Sequence, residues 1–277
     1  MRRDLAGMRA QRAMGYLAAF AIAAVMLIPF LWMVSTSLMG EFEVLQYPPP
    51  LVPASPQWRN FPEALTTLPF ARFFLNSSIV ALFTVTGQVI TGACGGYALA
   101  RFRFAGERAV FAAYLGALMI PGIVLLIPRF LLVDALGGVD TMAGLVSTEL
   151  VSLWGVFMMR QFFVTMPRET EDAARIDGAS EWTIFWRIAV PLARPALATF
   201  GLFAFIDAWK AFLWPLVITR SMGLRTVEVG IASFHGLYYA NWPYQMAAAV
   251  TALLPVMAVF LLTQRYVTRG IQLTGLR

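Results

Sequence analysis

Six long apolar stretches dominate this sequence, and each is long enough to cross a lipid bilayer as a helix. One helical crossing needs about 20 mostly apolar residues, and inside lipid the backbone must satisfy its own hydrogen bonds. The stretches are Met14–Leu38, Phe73–Ala100, Ala109–Pro128, Thr141–Met159, Pro195–Thr219 and Gly236–Gln264. Four contain no Asp, Glu, Lys or Arg, whereas the fourth contains Glu149 and the fifth contains Asp207 and Lys210. The sequence therefore predicts an all-α polytopic membrane protein with six transmembrane helices.

The distribution of arginines along the chain indicates how the chain crosses the membrane. Only 13% of the 277 residues are charged, 59% are hydrophobic, and the formal net charge is +6. If the N-terminus is cytoplasmic, six crossings leave fifteen arginines on the cytoplasmic side and five on the other, as the positive-inside rule predicts. We therefore predict that both termini are cytoplasmic, and that the basic charge reflects topology rather than binding to nucleic acid.

The sequence offers little for catalysis or for metal binding. Cys94 is the only cysteine and His235 the only histidine, so neither a disulfide framework nor a metal cluster is expected. The phosphate-binding motif G-x-x-x-x-G-K-[ST] is absent, and the only lysine, Lys210, lies within a span. The first apolar stretch follows a basic segment but has no small-residue cleavage site, so we interpret it as a retained helix and not a signal peptide.

We predict one membrane domain, residues 14–264, between a cytoplasmic segment (1–13) and a cytoplasmic tail (265–277). Its first external connection, residues 39–72, holds seven of the sixteen prolines and should be stiff, extended and poor in helix. The connection fits a strap packed on helix ends and a contact for an external partner equally well. Its candidate anchors are Trp58, Asn60 and Phe61.

Small residues and prolines within the spans predict close packing and bending. Gly92 and Gly96 form a small-xxx-small pair that lets another helix approach closely. Prolines should bend or open the third, fifth and sixth spans; they are Pro121, Pro128, Pro215 and Pro255.

A charged segment, residues 164–194, interrupts the apolar pattern between the fourth and fifth stretches. Pro167 suits the first position of a helix, and the acidic residues that follow it would face that helix's positive end. Gly178 predicts the end of this helix and Ser180 the N-cap of a second one. In the second helix an apolar face is spaced at i, i+3, i+4 and i+7, and Pro191 closes it; the face is Trp182, Phe185, Trp186 and Ala189. An interfacial amphipathic hairpin without a partner fits this pattern as well.

The same segment resembles a known motif. Asp172-Ala173-Ala174, then three residues, Gly178, nine residues and Ile188-Ala189-Val190-Pro191 resembles the EAA…G…I-LP motif of membrane subunits of bacterial binding-protein-dependent ABC importers. Asp172 stands where that family usually has Glu, and Val190 where it usually has Leu.

Fragments along almost the whole chain resemble the carbohydrate branch of this family, in particular the second permease subunit of maltose-type importers. These fragments are Pro49–Pro53 with Asn60-Phe61, Phe74–Ser78, Tyr97–Phe102, Trp209 with Phe212–Leu216, and Gln264–Tyr266 with Gly270.

The resemblance implies a type I importer permease fold in the bacterial inner membrane. It implies a chain that pairs with a second permease subunit, two ATP-binding subunits and an extracytoplasmic solute-binding protein, and that moves a sugar or polyol-like solute. ATP and Mg²⁺ would bind to the partner ATPase, so this chain would bind no cofactor and would not be an enzyme. The residues implied in coupling to the ATPase are Glu171, Asp172, Ala173, Ala174, Arg175, Asp177, Gly178 and Pro191.

Ionisable residues within spans are costly and mark candidate functional positions. Asp207 and Lys210 share a helix face, so they either pair with each other or offer Lys210 to an anionic or hydroxyl-rich solute. The resemblance also implies that Lys210 replaces a common Asn. The substrate-pathway candidates are Glu149, Asp207, Trp209 and Lys210.

Two other classes compete with the importer hypothesis. A secondary transporter driven by an ion gradient usually carries paired internal repeats with matching broken helices, and no such symmetry is visible. For a membrane-embedded enzyme the supply of catalytic groups is thin: one cysteine, one histidine, and no H-E-x-x-H motif or carboxylate cluster within a span. Neither class explains the charged segment between the fourth and fifth stretches.

Overall fold

The chain is almost entirely helical in the part that the structure, a computed structural model, describes. The backbone is described for residues 2–236 and 240–274, and side chains for residues 14–236 and 240–266. Seven helices lead up to the charged segment: α1 (Arg2–Ser37), α2 (Asn60–Thr67), α3 (Phe70–Arg101), α4 (Glu107–Leu118), α5 (Leu126–Ala135), α6 (Met142–Val146) and α7 (Leu153–Thr165). Seven follow: α8 (Glu169–Ile176), α9 (Glu181–Ile184), α10 (Val190–Leu192), α11 (Arg194–Trp209), α12 (Leu213–Ile218), α13 (Val227–Ala232) and α14 (Trp242–Thr274).

The candidate membrane spans follow the order of the predicted stretches, and their number is between four and six. Within the described residues four helical segments are long and apolar enough to cross a bilayer: Met14–Ser37, Phe70–Arg101, Met142–Thr165 and Trp242–Tyr266. Two bent pairs raise the number to six if each counts as one span; these are Glu107–Leu118 with Gly122–Ala135, and Glu181–Leu192 with Arg194–Trp209.

Three of the spans are interrupted: the third and the fifth, in which prolines were expected to bend or open the helix, and the fourth, in which no break was predicted. The third bends by 93° around Pro121, as expected of a residue without a backbone N–H. The fourth contains a 3₁₀ turn, Ser147–Glu149, between α6 and α7. The fifth ends at Trp209, and Lys210 caps α11 before α12 begins. Pro215 lies within α12, beyond the break in the fifth span, and Pro255 lies within the continuous α14.

One compact unit comprises residues 1–68 and 231–252. Within it, Asn60 is buried, and its side-chain Nδ2 donates to the carbonyls of Ser37 and Met39, both at 2.9 Å. These bonds satisfy backbone groups at the end of α1 that no helical partner reaches. The anchor role predicted for Asn60 is therefore confirmed, whereas Trp58 is 70% exposed. The connection is also less extended than predicted, because α2 forms within it.

The second compact unit comprises residues 69–230 and 253–277, and its core forms where α3 packs along α7 and α11. The glycines of α3 make this approach possible. Gly92 faces Gly155 and the Phe200 ring, and Gly96 lies against Met159. The close helix packing predicted for the glycine pair is thus confirmed.

Asp140 ties together two loops of the second unit. Its Oδ1 accepts from the backbone N–H groups of Arg220 and Ser221, both at 2.9 Å, and from the Ser221 hydroxyl at 3.0 Å. Its own N–H donates to the carbonyl of Ile218 at 2.8 Å. The backbone hydrogen bonds from Ser221 and Arg220 lower the pKa of Asp140 below its usual value.

We expect Asp140→Asn to destabilise the protein at neutral pH and to matter less in acid. A carboxyl whose pKa is depressed by folding stabilises the fold above its unfolded pKa, about 3.9, and loses that contribution as the pH falls through the folded value. Asparagine tolerates the positive φ of 57° at this position, so the variant isolates the charge. Thermal unfolding in detergent at pH 7 and at pH 3.5 checks this, with the exposed Asp134→Asn as control; equal shifts at both pH values would contradict it.

Candidate functional site

The charged segment begins with α8, and Gly178 ends this helix as predicted. Gly178 has a φ of 81°, its N–H donates to the carbonyl of Arg175 at 3.1 Å, and the N–H of Ala179 donates to that of Ala174 at 2.9 Å. This is the Schellman arrangement, which suits glycine because its φ is positive. The Ser180 hydroxyl accepts from the N–H of Thr183, so the second predicted cap is also confirmed.

The start of α8 differs from the prediction. Arg168 is the N-cap and the helix begins at Glu169, so Pro167 lies before the helix and not at its first position. Met166 is extended (φ −76°, ψ 132°), as is usual for a residue that precedes proline.

Glu171 lies inside the protein. Its side chain is 0% exposed, and the Arg101 side chain at the end of α3 is 2% exposed. The Arg101 Nε and Nη2 atoms donate to the Glu171 carboxylate at 2.9–3.0 Å, and the Tyr97 hydroxyl contacts it at 3.4 Å. Nη2 also donates to the carbonyl of Met166 at 3.0 Å. Glu171 therefore fastens α8 to α3 and is not part of the exposed surface of α8.

Two further arginines attach the same end of α3 to its neighbours. Arg160 of α7 donates from Nε to the carbonyl of Leu99 at 3.2 Å, and Arg168 donates from Nη2 to that of Ala100 at 3.3 Å. The last carbonyls of a helix have no helical partner, and positive charge is favourable there. The cytoplasmic end predicted for α3 is thus joined to both α7 and the charged segment.

The opposite side of α8 is exposed. Asp172, Ala173, Asp177 and Gly178 are exposed, and Ile176 is 87% exposed. Ile176 follows Glu171 by five residues, about 140° around the helix at 3.6 residues per turn, so it lies away from the buried carboxylate. No sequence motif marks Ile176, and its place on the exposed side of α8 follows from the burial of Glu171.

Arg175 orders the loop beyond α8. It contacts Asp172 at 2.6 Å through Nη1, and it donates to the Glu181 carboxylate from Nε at 2.6 Å and from Nη2 at 3.0 Å. The hydrogen bonds with Glu181 raise the pKa of Arg175 above its usual value, so its charge is retained. Arg175 therefore joins α8 to the start of the second helix, while Ala174 is half-buried beside it.

The aromatic residues of the apolar face predicted for the second helix lie together. The ring centroids of Trp182, Phe185 and Trp186 are 4.9–6.0 Å apart. Phe185 and Ala189 are buried, whereas Trp182 and Trp186 are 67% and 42% exposed. The helix is not a regular α-helix throughout, because Phe185–Ala189 forms a π-helical turn. Pro191 lies in α10, just before the chain bends by 76° into α11.

The substrate-pathway candidates lie in two places: Glu149 in the turn between α6 and α7, and the other three at the end of α11. Glu149 forms an ion pair with Arg129 of α5. Trp209 is buried and lies against Phe74 and Phe205, with ring centroids 6.0 Å and 5.6 Å away. Asp207 and Lys210 are exposed.

The predicted pairing of Asp207 with Lys210 is not seen, because these two exposed side chains form no ion pair within the described residues. Glu228 of α13 is a further, half-buried carboxylate that no sequence pattern marked. The described part of the chain holds no group of three His, Cys, Asp or Glu side chains that could bind a metal.

The comparison with protein families decides the class of the molecule. Residues 88–273 match the family model of the binding-protein-dependent transport system inner membrane component. The chain belongs to this family. Membership makes it a multi-pass permease of the bacterial inner membrane, one part of a system that also needs a solute-binding protein.

Relatives of this permease include other transport subunits. It is 31% identical over 255 residues to the inner membrane ABC transporter permease protein YcjP of Escherichia coli, covering 91% of each chain. It is 34% identical over 258 residues to the sn-glycerol-3-phosphate transport system permease protein UgpE of Pectobacterium atrosepticum, covering 90% of this chain and 92% of that one. It is 33% identical over 208 residues to the arabinooligosaccharides transport system permease protein AraQ of Bacillus subtilis, covering 75% and 74%.

A solved structure shares the permease fold. A bacterial ABC transporter involved in the import of the acidic polysaccharide alginate matches with a TM-score of 0.79 and 24% sequence identity, over 94% of this chain and 98% of the other. The predicted fold class, an importer permease built from helices, is confirmed.

Proposed function

We propose that this permease is the membrane subunit of an ATP-driven importer for a sugar or polyol, and that separate ATP-binding subunits dock on the exposed side of α8. One observation carries this proposal: α8 offers an exposed surface with an apolar centre at Ile176, while its opposite side is fixed to α3 through Glu171. A helix fixed on one side and exposed on the other can transmit a push from a partner.

The coupling step follows from this arrangement. The two ATP-binding subunits hold ATP and Mg²⁺, and their closure displaces α8, with Asp172, Ala173 and Asp177 in the contact. Ala174 is half-buried and lies ~60° around the helix from Glu171, so it keeps the side that faces α3 small. Gly178 ends the helix, and Arg175 keeps the helix in register with the loop behind it. Because Arg101 of α3 is hydrogen-bonded to Glu171 of α8, the displacement reaches α3. Pro191 lies where the loop turns into α11, so the fifth span moves as well.

The solute class follows from the relatives. The names of AraQ and UgpE denote transport of an oligosaccharide and of a polyol phosphate. We propose that the solute passes between this chain and a second permease subunit, near Glu149, Asp207, Trp209 and Lys210. This chain binds no cofactor and is not itself an enzyme.

The proposal is tested by purifying the tagged permease in mild detergent and identifying what co-purifies by mass spectrometry. Recovery of a second permease subunit and an ATP-binding subunit supports it, together with uptake into vesicles that requires ATP and the solute-binding protein. A chain that purifies alone and drives uptake from a proton or sodium gradient would be a secondary transporter.

Replacing Gly178 with leucine is expected to uncouple ATP hydrolysis from uptake while the helix bundle stays folded. The φ of 81° costs an L-residue about 1–2 kcal/mol, which distorts the end of α8, although no atom lies within 4 Å of an added Cβ. Gly106→Leu is the matched control, because Gly106 has a φ of 87° and equally open surroundings but lies outside the charged segment. ATP-dependent uptake and ATPase activity are measured on both complexes. Uptake relative to ATP hydrolysis should be lower for Gly178→Leu than for Gly106→Leu, and equal values would contradict the role of Gly178.

A further inference from the structure

The fourth span is broken beside the middle of α3. Gln88 of α3 donates to the carbonyl of Glu149 at 2.9 Å. The Thr91 hydroxyl donates to the carbonyl of Gly87 in its own helix at 2.8 Å and lies 3.2 Å from the carbonyl of Leu150. At 1.5 Å per residue, Gln88 lies ~27 Å along the helix from Phe70 and ~20 Å from Arg101. The Gln88 side chain thus satisfies irregular backbone near mid-membrane depth.

Two charged side chains, Arg129 and Glu149, lie at this break and are partly exposed. The side chains of Arg129 and Glu149 are 28% and 34% exposed. Charged groups and non-helical backbone at membrane depth face the bundle interior or a water-filled cavity, because exposure to hydrocarbon is too costly. The open side of the pair therefore does not face lipid.

Arg129 is fixed by several contacts. Its Nη2 atom donates to the Thr148 hydroxyl at 2.7 Å and contacts the Glu149 carboxylate. Its guanidinium lies 4.4 Å from the centre of the Trp214 ring, and the Trp214 indole N–H donates to the carbonyl of Leu145 at 3.2 Å. The Arg129 Nε atom is buried with no hydrogen-bond partner, so one donor of this ordered group is unused.

We propose that Arg129 and Glu149 line the solute pathway and act as a neutral subsite for the hydroxyl groups of an uncharged sugar. The guanidinium donates to a hydroxyl oxygen and the carboxylate accepts from a hydroxyl. Because the two charges cancel, the subsite does not attract anions, and it favours a neutral sugar over a sugar phosphate or an acidic sugar. This inference rests on the proposed function and narrows its solute class.

The test uses a cysteine placed next to the pair, in the complex with its partner subunits. Ser147→Cys, made in a Cys94→Ala background, keeps both charges and adds a thiol at an exposed position of the same turn. Neutral hydroxyethyl methanethiosulfonate and anionic sulfonatoethyl methanethiosulfonate are the probes. We expect the neutral reagent to label Ser147→Cys and to leave Leu82→Cys, an exposed apolar position of α3, unlabelled in lipid.

Adding Glu149→Gln to the Ser147→Cys variant tests the charge balance. Loss of the carboxylate leaves Arg129 unpaired, so the labelling rate of the anionic reagent relative to the neutral one should rise several-fold. An unchanged ratio would overturn the neutral subsite. No labelling of Ser147→Cys would show that the partner subunit covers the pair, and would overturn its place on the pathway.

Uptake by the parent complex gives a separate check. We expect ATP-dependent uptake of arabinotriose in preference to glycerol 3-phosphate, and the opposite preference would overturn the inference. A preparation without an ATP-binding subunit would contradict the proposed function, whereas failed labelling in a complex that contains one contradicts this inference alone.

Discussion

Arg101→Met should abolish uptake and destabilise the folded permease by about 3–5 kcal/mol, because it leaves the Glu171 carboxylate buried without its cation. Glu171 is 0% exposed, so water cannot replace the lost hydrogen bonds unless α8 detaches from α3. Thermal unfolding in detergent and ATP-dependent uptake in vesicles measure the two effects.

Arg103→Met is the matched control. Arg103 pairs with Glu107 at 3.1 Å, but its side chain is 82% exposed, and an exposed ion pair contributes about 0–1 kcal/mol. Similar losses in the two variants would show that the burial of the Arg101–Glu171 pair has no special effect.

The double variant Arg101→Met/Glu171→Met separates stability from coupling. Replacing both partners of a buried pair with apolar side chains is often neutral, so much of the stability should return. Uptake should stay low, because the hydrogen bonds that hold α8 in register with α3 are absent. Full recovery of uptake would mean that the pair only stabilises the fold.

Gly96→Ala is expected to have the second large effect, through the packing of α3 on α7. A Cβ at this position would lie 2.6 Å from the Met159 Cβ and 2.7 Å from the backbone nitrogen of Arg160. Backbone atoms cannot rotate away, so the two helices must separate; overpacking of this kind costs about 1–3 kcal/mol. Separation would also lengthen the hydrogen bond from Arg160 to Leu99.

Gly116→Ala in α4 is the control for Gly96→Ala. No atom lies within 4 Å of a Cβ at Gly116, and alanine favours a helix over glycine by about 1 kcal/mol. The melting temperature should fall for Gly96→Ala and hold or rise for Gly116→Ala. A Gly96→Ala protein with parental stability and uptake would mean that the helices tolerate a wider spacing.

Local chemistry made much of the architecture predictable. The length of an apolar stretch identifies a candidate span. The C-terminal end of α8 and the start of α9 depend on residues within a few positions, such as Gly178 and Ser180. These signals act within one or two turns, so one sequence carries them completely.

What the sequence could not predict depends on contacts across the fold. Glu171 looked like part of a docking surface because its partner, Arg101, lies 70 residues away. The breaks in the fourth and fifth spans need tertiary contacts, such as that of Gln88 with the Glu149 carbonyl, to hold irregular backbone in the membrane. Ile176 has no motif of its own, and its exposure follows from the burial of Glu171.

Asn76 and Ser77 have a structural role that depends on residues far away in the sequence. They lie in the fragment Phe74–Ser78, which carries a resemblance but no evident role in the sequence. In the structure the Asn76 side chain donates to the carbonyls of Gly223 and Arg225, both at 2.9 Å, and the Ser77 hydroxyl accepts from the N–H of Val227 at 2.9 Å. The two residues hold a distant loop against α3.

The arginines that complete the end of α3 have a consequence for biosynthesis. Arg101 and Glu171 are separated by 70 residues, and at about 5–20 residues per second the ribosome needs several seconds to connect them. Until then the new helix carries an unpaired guanidinium and free carbonyls, which only interfacial water can satisfy. A nascent chain that stalls before Glu171 is therefore distinguishable from a finished one, and we expect membrane quality-control proteases to remove it first.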